Sequence, residues 1–280
     1  MTADQIVAQL KRWGITPNGY KSWSTHNREG HGAWGPVHGL VIHHTGSDGD
    51  DQRDYLYDGD AKLPGPLCHF HINKAGQLWL IGWGRANHAG GGDPNVLSHV
   101  INEDYTGVLT PHEHQGSSGS VDGNARFYGV EIGYSGTHEM TPAQYATLLK
   151  LCAAVAEHHK WTEKSFIAHG EWSDWKWDPG CGPNEKRYNM VGVRGDIKNT
   201  ISVGPGGIKV PSQPSNVDKP DTPTQTTKDV WSNDSLIPPK GHATKENPTW
   251  QADSIVRFAA EQAEAANKKL DKIMKHLDIS

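Results

Sequence analysis

Eight of the seventeen prolines fall between Gly204 and Pro248, at positions 205, 211, 214, 220, 223, 238, 239 and 248. Proline offers no amide hydrogen and fixes its own φ, so a stretch this dense in it can neither run as a helix interior nor join a sheet ladder. Thr, Ser and Asn fill much of the rest, the composition of an extended linker. The core must therefore be built by residues 1–203. Residues 204–250 read as linker, and residues 251–280 as a separate C-terminal helix. In that last segment Val256, Ala259, Ala263, Ala266, Leu270, Ile273 and Leu277 recur at three- and four-residue steps. Such a seam either self-associates or docks back on its own domain.

Composition narrows the function classes. Of the 280 residues, 35% are hydrophobic and the formal net charge is −5. That acidic balance gives nucleic acid no footing as a partner. No apolar run approaches the ~20 residues that span a bilayer, so membrane insertion is not expected. Met1 to Trp13 contains Asp4 and lacks a basic region followed by an apolar core, so no signal peptide is expected. Three cysteines, Cys68, Cys152 and Cys181, are too few and too odd for a disulfide framework. The 17 His and 11 Trp are many for this length and point to metal or proton chemistry and to aromatic packing or sugar stacking.

Within 1–203 the periodicities alternate. Ala3 to Trp13 reads as a helix stopped by Gly14. Strands are expected at Leu40–His44, His69–Asn73, Gln77–Ile81, Phe127–Ile132 and Ser165–Ala168. Tyr20–Pro36 reads as an ordered loop, and Gly90–Asn124 as a long insertion. Thr141 and Pro142 open the clearest helix, continuing through Tyr145, Leu148, Leu149 and Cys152 toward Trp161. Met190–Ile197 predicts a last helix. Strands alternating with such helices predict an α/β fold, a mixed central β-sheet flanked by helices.

Most histidines read as structural. His43, His44, His69, His71, His88 and His169 lie in or beside predicted strands near Gly or Thr, where a pocket can form. Alternation does not choose between His43 and His44, because neighbouring strand residues face opposite ways. Two imidazoles and a carboxylate on separate strand ends and a turn can hold zinc with a fourth position open, the layout of a catalytic site.

Five blocks occur in one order: Val41-Ile42-His43-His44-Thr45, Cys68 to Gly76, Asn87-His88-Ala89-Gly90, Gly129-Val130-Glu131-Ile132-Gly133, and His169 to Gly180. Together they resemble the type-2 N-acetylmuramoyl-L-alanine amidases of the peptidoglycan-recognition-protein superfamily, which include many phage endolysins. The resemblance covers roughly residues 20–200. It implies Zn2+ held by His43, His169 and Asp178, Glu131 as general base, and Lys176 stabilising the oxyanion. It also implies that His88 contacts the muramoyl-peptide substrate. His44 is expected beside the site, against substrate or in packing, rather than on the metal. Trp83, Trp172, Trp175 and Trp177 either stack on sugar or belong to the core.

Two positions depart from the family pattern. Cys68 stands where some short phage amidases carry Tyr, and Cys181 lies close enough to Asp178 to compete as the third ligand. The implied function is hydrolysis of the amide between N-acetylmuramic acid and L-alanine in peptidoglycan. A chain made in the host cytoplasm and released onto the wall would lyse the host as an endolysin. The rival readings are a non-catalytic peptidoglycan-recognition module and a virion-associated structural protein assembled through residues 251–280.

Overall fold

The computed structural model describes residues 1–49, 51–112 and 120–207. These belong to one unit, Met1–Val217. The C-terminal helix expected at 251–280, and all of the linker beyond residue 207, lie outside the described residues.

The elements follow in the order α1 (Ala3–Arg12), β1 (Asn18–Gly19), β2 (Gly39–His44), α2 (Arg53–Asp58), β3 (Phe70–Ile72) and β4 (Leu78–Leu80). Next come β5 (Gly91–Gly92), α3 (Pro94–Asn102), β6 (Val121–Asp122), β7 (Phe127–Ile132) and α4 (Pro142–His159). The series closes with β8 (Phe166–Ala168), α5 (His169–Trp172), β9 (Gly180–Gly182), β10 (Lys186–Arg187) and α6 (Met190–Val203). Six strands form the central sheet in the order β1-β4-β3-β7-β2-β8. Only β3 and β4 pair antiparallel; the rest of the sheet is parallel. The expected mixed sheet with flanking helices is what the chain forms.

The alternation of β2 explains both faces. Leu40 and Ile42 join Tyr128, Val130 and Ile132 in a core completed by α1, α4 and α6. Val41 faces the other way and packs with Phe127, Ile167, Trp172 and the α3 residues Val96 and Val100. His43 follows Val41 by two residues and so shares the α3-covered face. Parallel register sets His43 opposite Glu131 on β7 and Glu131 opposite His71 on β3. Three polar side chains thus line up at the end of one sheet face.

The helices begin where the sequence caps them. Thr141 accepts from the Gln144 amide at 3.1 Å, and the Gln144 side chain accepts from the Thr141 amide at 2.9 Å. This reciprocal cap and Pro142 start α4, which ends at His159, short of the expected Trp161. Leu148, Leu149 and Leu151 on it are fully buried, each contributing about 1.5–3 kcal/mol of transfer free energy. The described part of Gly90–Asn124 contains α3, started by Asp93 accepting from the Asn95 amide at 2.7 Å and by Pro94. Asp93-Pro94 followed by Val96 and Val100 was the readable signal there. Tyr20–Pro36 holds two short 3-10 turns and no strand, and α6 runs on to Val203 rather than ending at Ile197.

Candidate metal centre and cleft

Three elements deliver three donors to one point. His43 comes from β2, His169 opens α5 directly after β8, and Asp178 lies on the loop before β9. The Gly170 amide donates to the Asp178 carbonyl at 3.0 Å, which ties that loop to the His169 turn. His43 Nδ1 lies 3.0 Å from His169 Nδ1 and 2.9 Å from Asp178 Oδ2, and His169 Nδ1 lies 3.0 Å from the same oxygen. All three residues are buried. Among the described residues they form the cluster able to hold a metal ion.

The outer nitrogens fix the tautomers. His169 Nε2 meets the Ala89 carbonyl at 3.3 Å, and His88 Nε2 meets the Phe127 carbonyl at 3.1 Å. A carbonyl only accepts, so both Nε2 atoms carry the proton. His88 Nδ1 is then an acceptor, and at 3.1 Å it takes the proton of His43 Nε2. With each ring neutral, both ligand histidines therefore turn bare Nδ1 lone pairs toward a carboxylate. Three acceptors within 3.0 Å, with no proton between them, call for a cation. Two imidazoles and one carboxylate suit zinc, whose tetrahedral donors at about 2.0–2.1 Å sit about 3.3 Å apart. Electrostatics agree. Burial, with His169 adding to it, holds His43 down to about 4, so it is neutral at pH 7.

The cluster lies in a cleft of about 1090 Å³, also lined by His44, His88, Glu131, Lys176, Trp175 and Trp177. Glu131 Oε2 is buried without a hydrogen-bond partner among the described residues. Burial and the charge of Asp178 push its carboxyl well above the ordinary value, with Lys176 opposing. Lys176 reaches over the Trp175 ring, its Nζ 3.8 Å from the centroid. His44 Nδ1 accepts from the Gly46 amide at 2.9 Å, and its ring packs on Trp177 at 4.5 Å between centroids. Trp177 in turn fits only because position 180 is Gly, where a Cβ would lie 1.9 Å from the ring. Trp172 is core and Trp83 stacks on Tyr128, whereas Trp175 is 55% exposed at the cleft.

Cys181 stands apart from the cluster: its thiol donates to the Arg187 carbonyl at 3.2 Å, on β9. Cys68 is fully buried close to Glu131, and burial keeps its thiol protonated. His88 has both ring nitrogens engaged by protein partners, a placement that the expectation of substrate contact did not anticipate.

Sequence reasoning missed three residues that organise the site. Asn124 Oδ1 accepts from the amides of His88, Ala89 and Gly90 at 2.8, 2.8 and 3.2 Å. Glu171 accepts from the Ala168 amide at 3.0 Å and pairs with Arg194 of α6 at 2.8 and 3.0 Å. Glu171 and Arg194 are almost fully buried, so the pair is a desolvated clamp on the turn that carries His169. The only sequence signal was an acidic residue two positions after a candidate ligand; Arg194 carried none.

The model of the family described as N-acetylmuramoyl-L-alanine amidase matches residues 33–181. No curated protein sequence matches. Among solved structures, the endolysin N-acetylmuramoyl-L-alanine amidase LysCS of Clostridium intestinale URNW is similar at 18% identity and TM-score 0.38, over 59% of this chain and 88% of that one. The Escherichia coli amidase AmiD, solved with anhydro-N-acetylmuramic acid-L-Ala-D-γ-Glu-L-Lys, shares 19% identity at TM-score 0.38, over 55% of this chain and 56% of its own.

Proposed function

The chain belongs to the N-acetylmuramoyl-L-alanine amidase family, and from that premise we propose that it is a zinc-dependent peptidoglycan hydrolase. The bond cut is the amide between the lactoyl group of N-acetylmuramic acid and L-alanine. One observation carries the zinc reading: two bare Nδ1 atoms and a carboxylate converge within 3.0 Å in a cleft that Glu131 and Lys176 also line.

His43, His169 and Asp178 would hold the ion. When bound, zinc supplies a Lewis acid for the amide carbonyl and lowers the pKa of a water. Glu131 takes the proton of the attacking water, and its buried oxygen, without a partner among the described residues, suits that role. It then returns the proton to the leaving amine of L-alanine. Lys176 swings from the Trp175 ring to the developing oxyanion. His88 holds the His43 ring rather than reading substrate. His44 lines the wall with Trp177, and Trp175 offers an exposed face to sugar.

The biological reading is an endolysin, made in the host cytoplasm and released onto the wall. Residues 1–203 form the catalytic domain. The test is purified protein on peptidoglycan, with and without a chelator. New N-terminal L-alanine should appear without new reducing sugar ends, and only in the presence of zinc. Release that persists after complete metal removal would overturn the mechanism.

A further inference from the structure

Asn124 touches neither metal donors nor the cleft, yet both outer hydrogen bonds of the ligand histidines run through the loop it holds. Its side-chain oxygen accepts from three consecutive amides, those of His88, Ala89 and Gly90. That loop supplies the His88 ring to His43 Nε2 at 3.1 Å and the Ala89 carbonyl to His169 Nε2 at 3.3 Å. The oxygen is itself fixed. Asn124 is buried, its amide donates to Asp122 Oδ1 at 3.0 Å, and its Nδ2 faces Asn87 Oδ1 at 3.4 Å. The Gly123 amide adds a further tie, donating to the Gly90 carbonyl at 2.7 Å. A second feature favours the same arrangement independently: a Cβ at Gly129 would lie 2.6 Å from the His88 ring, so this strand position leaves the ring its seat.

We propose that Asn124 is the positioning residue of the metal centre, orienting both imidazoles through one loop. This rests on the zinc reading above. Partners of this kind fix tautomer and ring direction, and their removal lowers metal affinity by roughly 10–100-fold. Through one loop its oxygen couples two ligands from different elements, His43 on β2 and His169 at the start of α5. Losing its oxygen frees the loop, and both Nε2 protons lose their fixed acceptors together.

The test is zinc affinity of the full chain, measured by competition against a chromophoric chelator, with the Co2+ absorption spectrum of the substituted protein as a second readout. Asn124→Ala should fold, bind zinc about 10–100-fold more weakly, and shift the Co2+ bands. Asn124→Asp, which keeps the acceptor oxygen, should stay near wild type. His88→Ala combined with Asn124→Ala should be clearly non-additive, because both act through one loop. Wild-type affinity in Asn124→Ala, or strict additivity, overturns the proposal while leaving the zinc reading intact. If Asn124→Ala does not fold, Gly129→Ala, which keeps Asn124 but displaces the His88 ring, must weaken zinc and shift the bands in the same way, or the proposal fails. A wild-type chain that binds no zinc, or whose zinc survives His43→Ala, overturns the site reading and this proposal with it.

Discussion

At the scale of single residues, the site divides into groups that hold and groups that react. His169→Ala should abolish stoichiometric zinc by atomic emission and all amidase activity. Asp178→Ala should do the same, whereas Cys181→Ala should keep both, since its thiol is turned to the Arg187 carbonyl. Zinc lost in Cys181→Ala and kept in Asp178→Ala would reverse the ligand assignment. Glu131→Gln should retain zinc yet lower kcat by about 10²–10⁴ with little change in KM, as removal of a general base does. The sequence could name these residues but could not arrange them. Strand alternation left His43 and His44 equivalent; their separation needs Val41 to be packed under α3, a fact of the folded sheet. His88 was legible as a site residue, but its role depends on which carbonyl its far nitrogen meets, and that partner, Phe127, lies 39 positions away.

At the scale of elements, α6 is more than the end of the domain. It carries Arg194, which bonds the buried Glu171 beside the His169 turn and also donates to the Gly107 carbonyl at 2.6 Å. Arg194→Met removes one partner and leaves a buried carboxylate, which should cost about 3–5 kcal/mol in urea unfolding. Restoration by the double variant Arg194→Met/Glu171→Gln would place that cost in the unpaired charge; a loss below 1 kcal/mol would contradict the clamp. Elements with a local signal were readable: α4 from its reciprocal cap and Pro142, β2 and β7 from apolar runs. The short strands β5, β6, β9 and β10 were not, because each spans only two or three residues and owes its existence to a partner. The helix α3 lay within reach and was hidden by the Gly- and Ser-rich surroundings of its loop.

At the scale of the whole molecule, acid is the weakness. Burial holds both His69 and His71 down to about 4 from an ordinary 6.5. Between those values the unfolded chain binds more protons than the folded one, so stability rises with pH across that window. It is fully present above about 6.5 and is lost as pH falls toward 4. Each histidine contributes up to about 3 kcal/mol of that loss. Glu131, whose carboxyl burial pushes well above its ordinary value, works the opposite way, so the effect is read in Glu131→Gln: metal-free protein with that substitution should show a markedly lower urea midpoint at pH 5 than at pH 7. An unchanged midpoint at pH 5 would mean that these rings already charge in the fold.

The order of strands in the sheet has a consequence for how the chain reaches this state. The strand that carries His43 lies between β7 and β8, and His43 is 135 positions from Asp178. A long loop must close before β2 gains either neighbour, and that entropy is spent before any contact rewards it. A half-made chain on the ribosome holds one of the three donors and cannot grip an ion. An ion held by these three donors would therefore arrive late: it would not nucleate the domain but lock the finished one, slowing its opening while leaving the rate of its formation to the polypeptide alone.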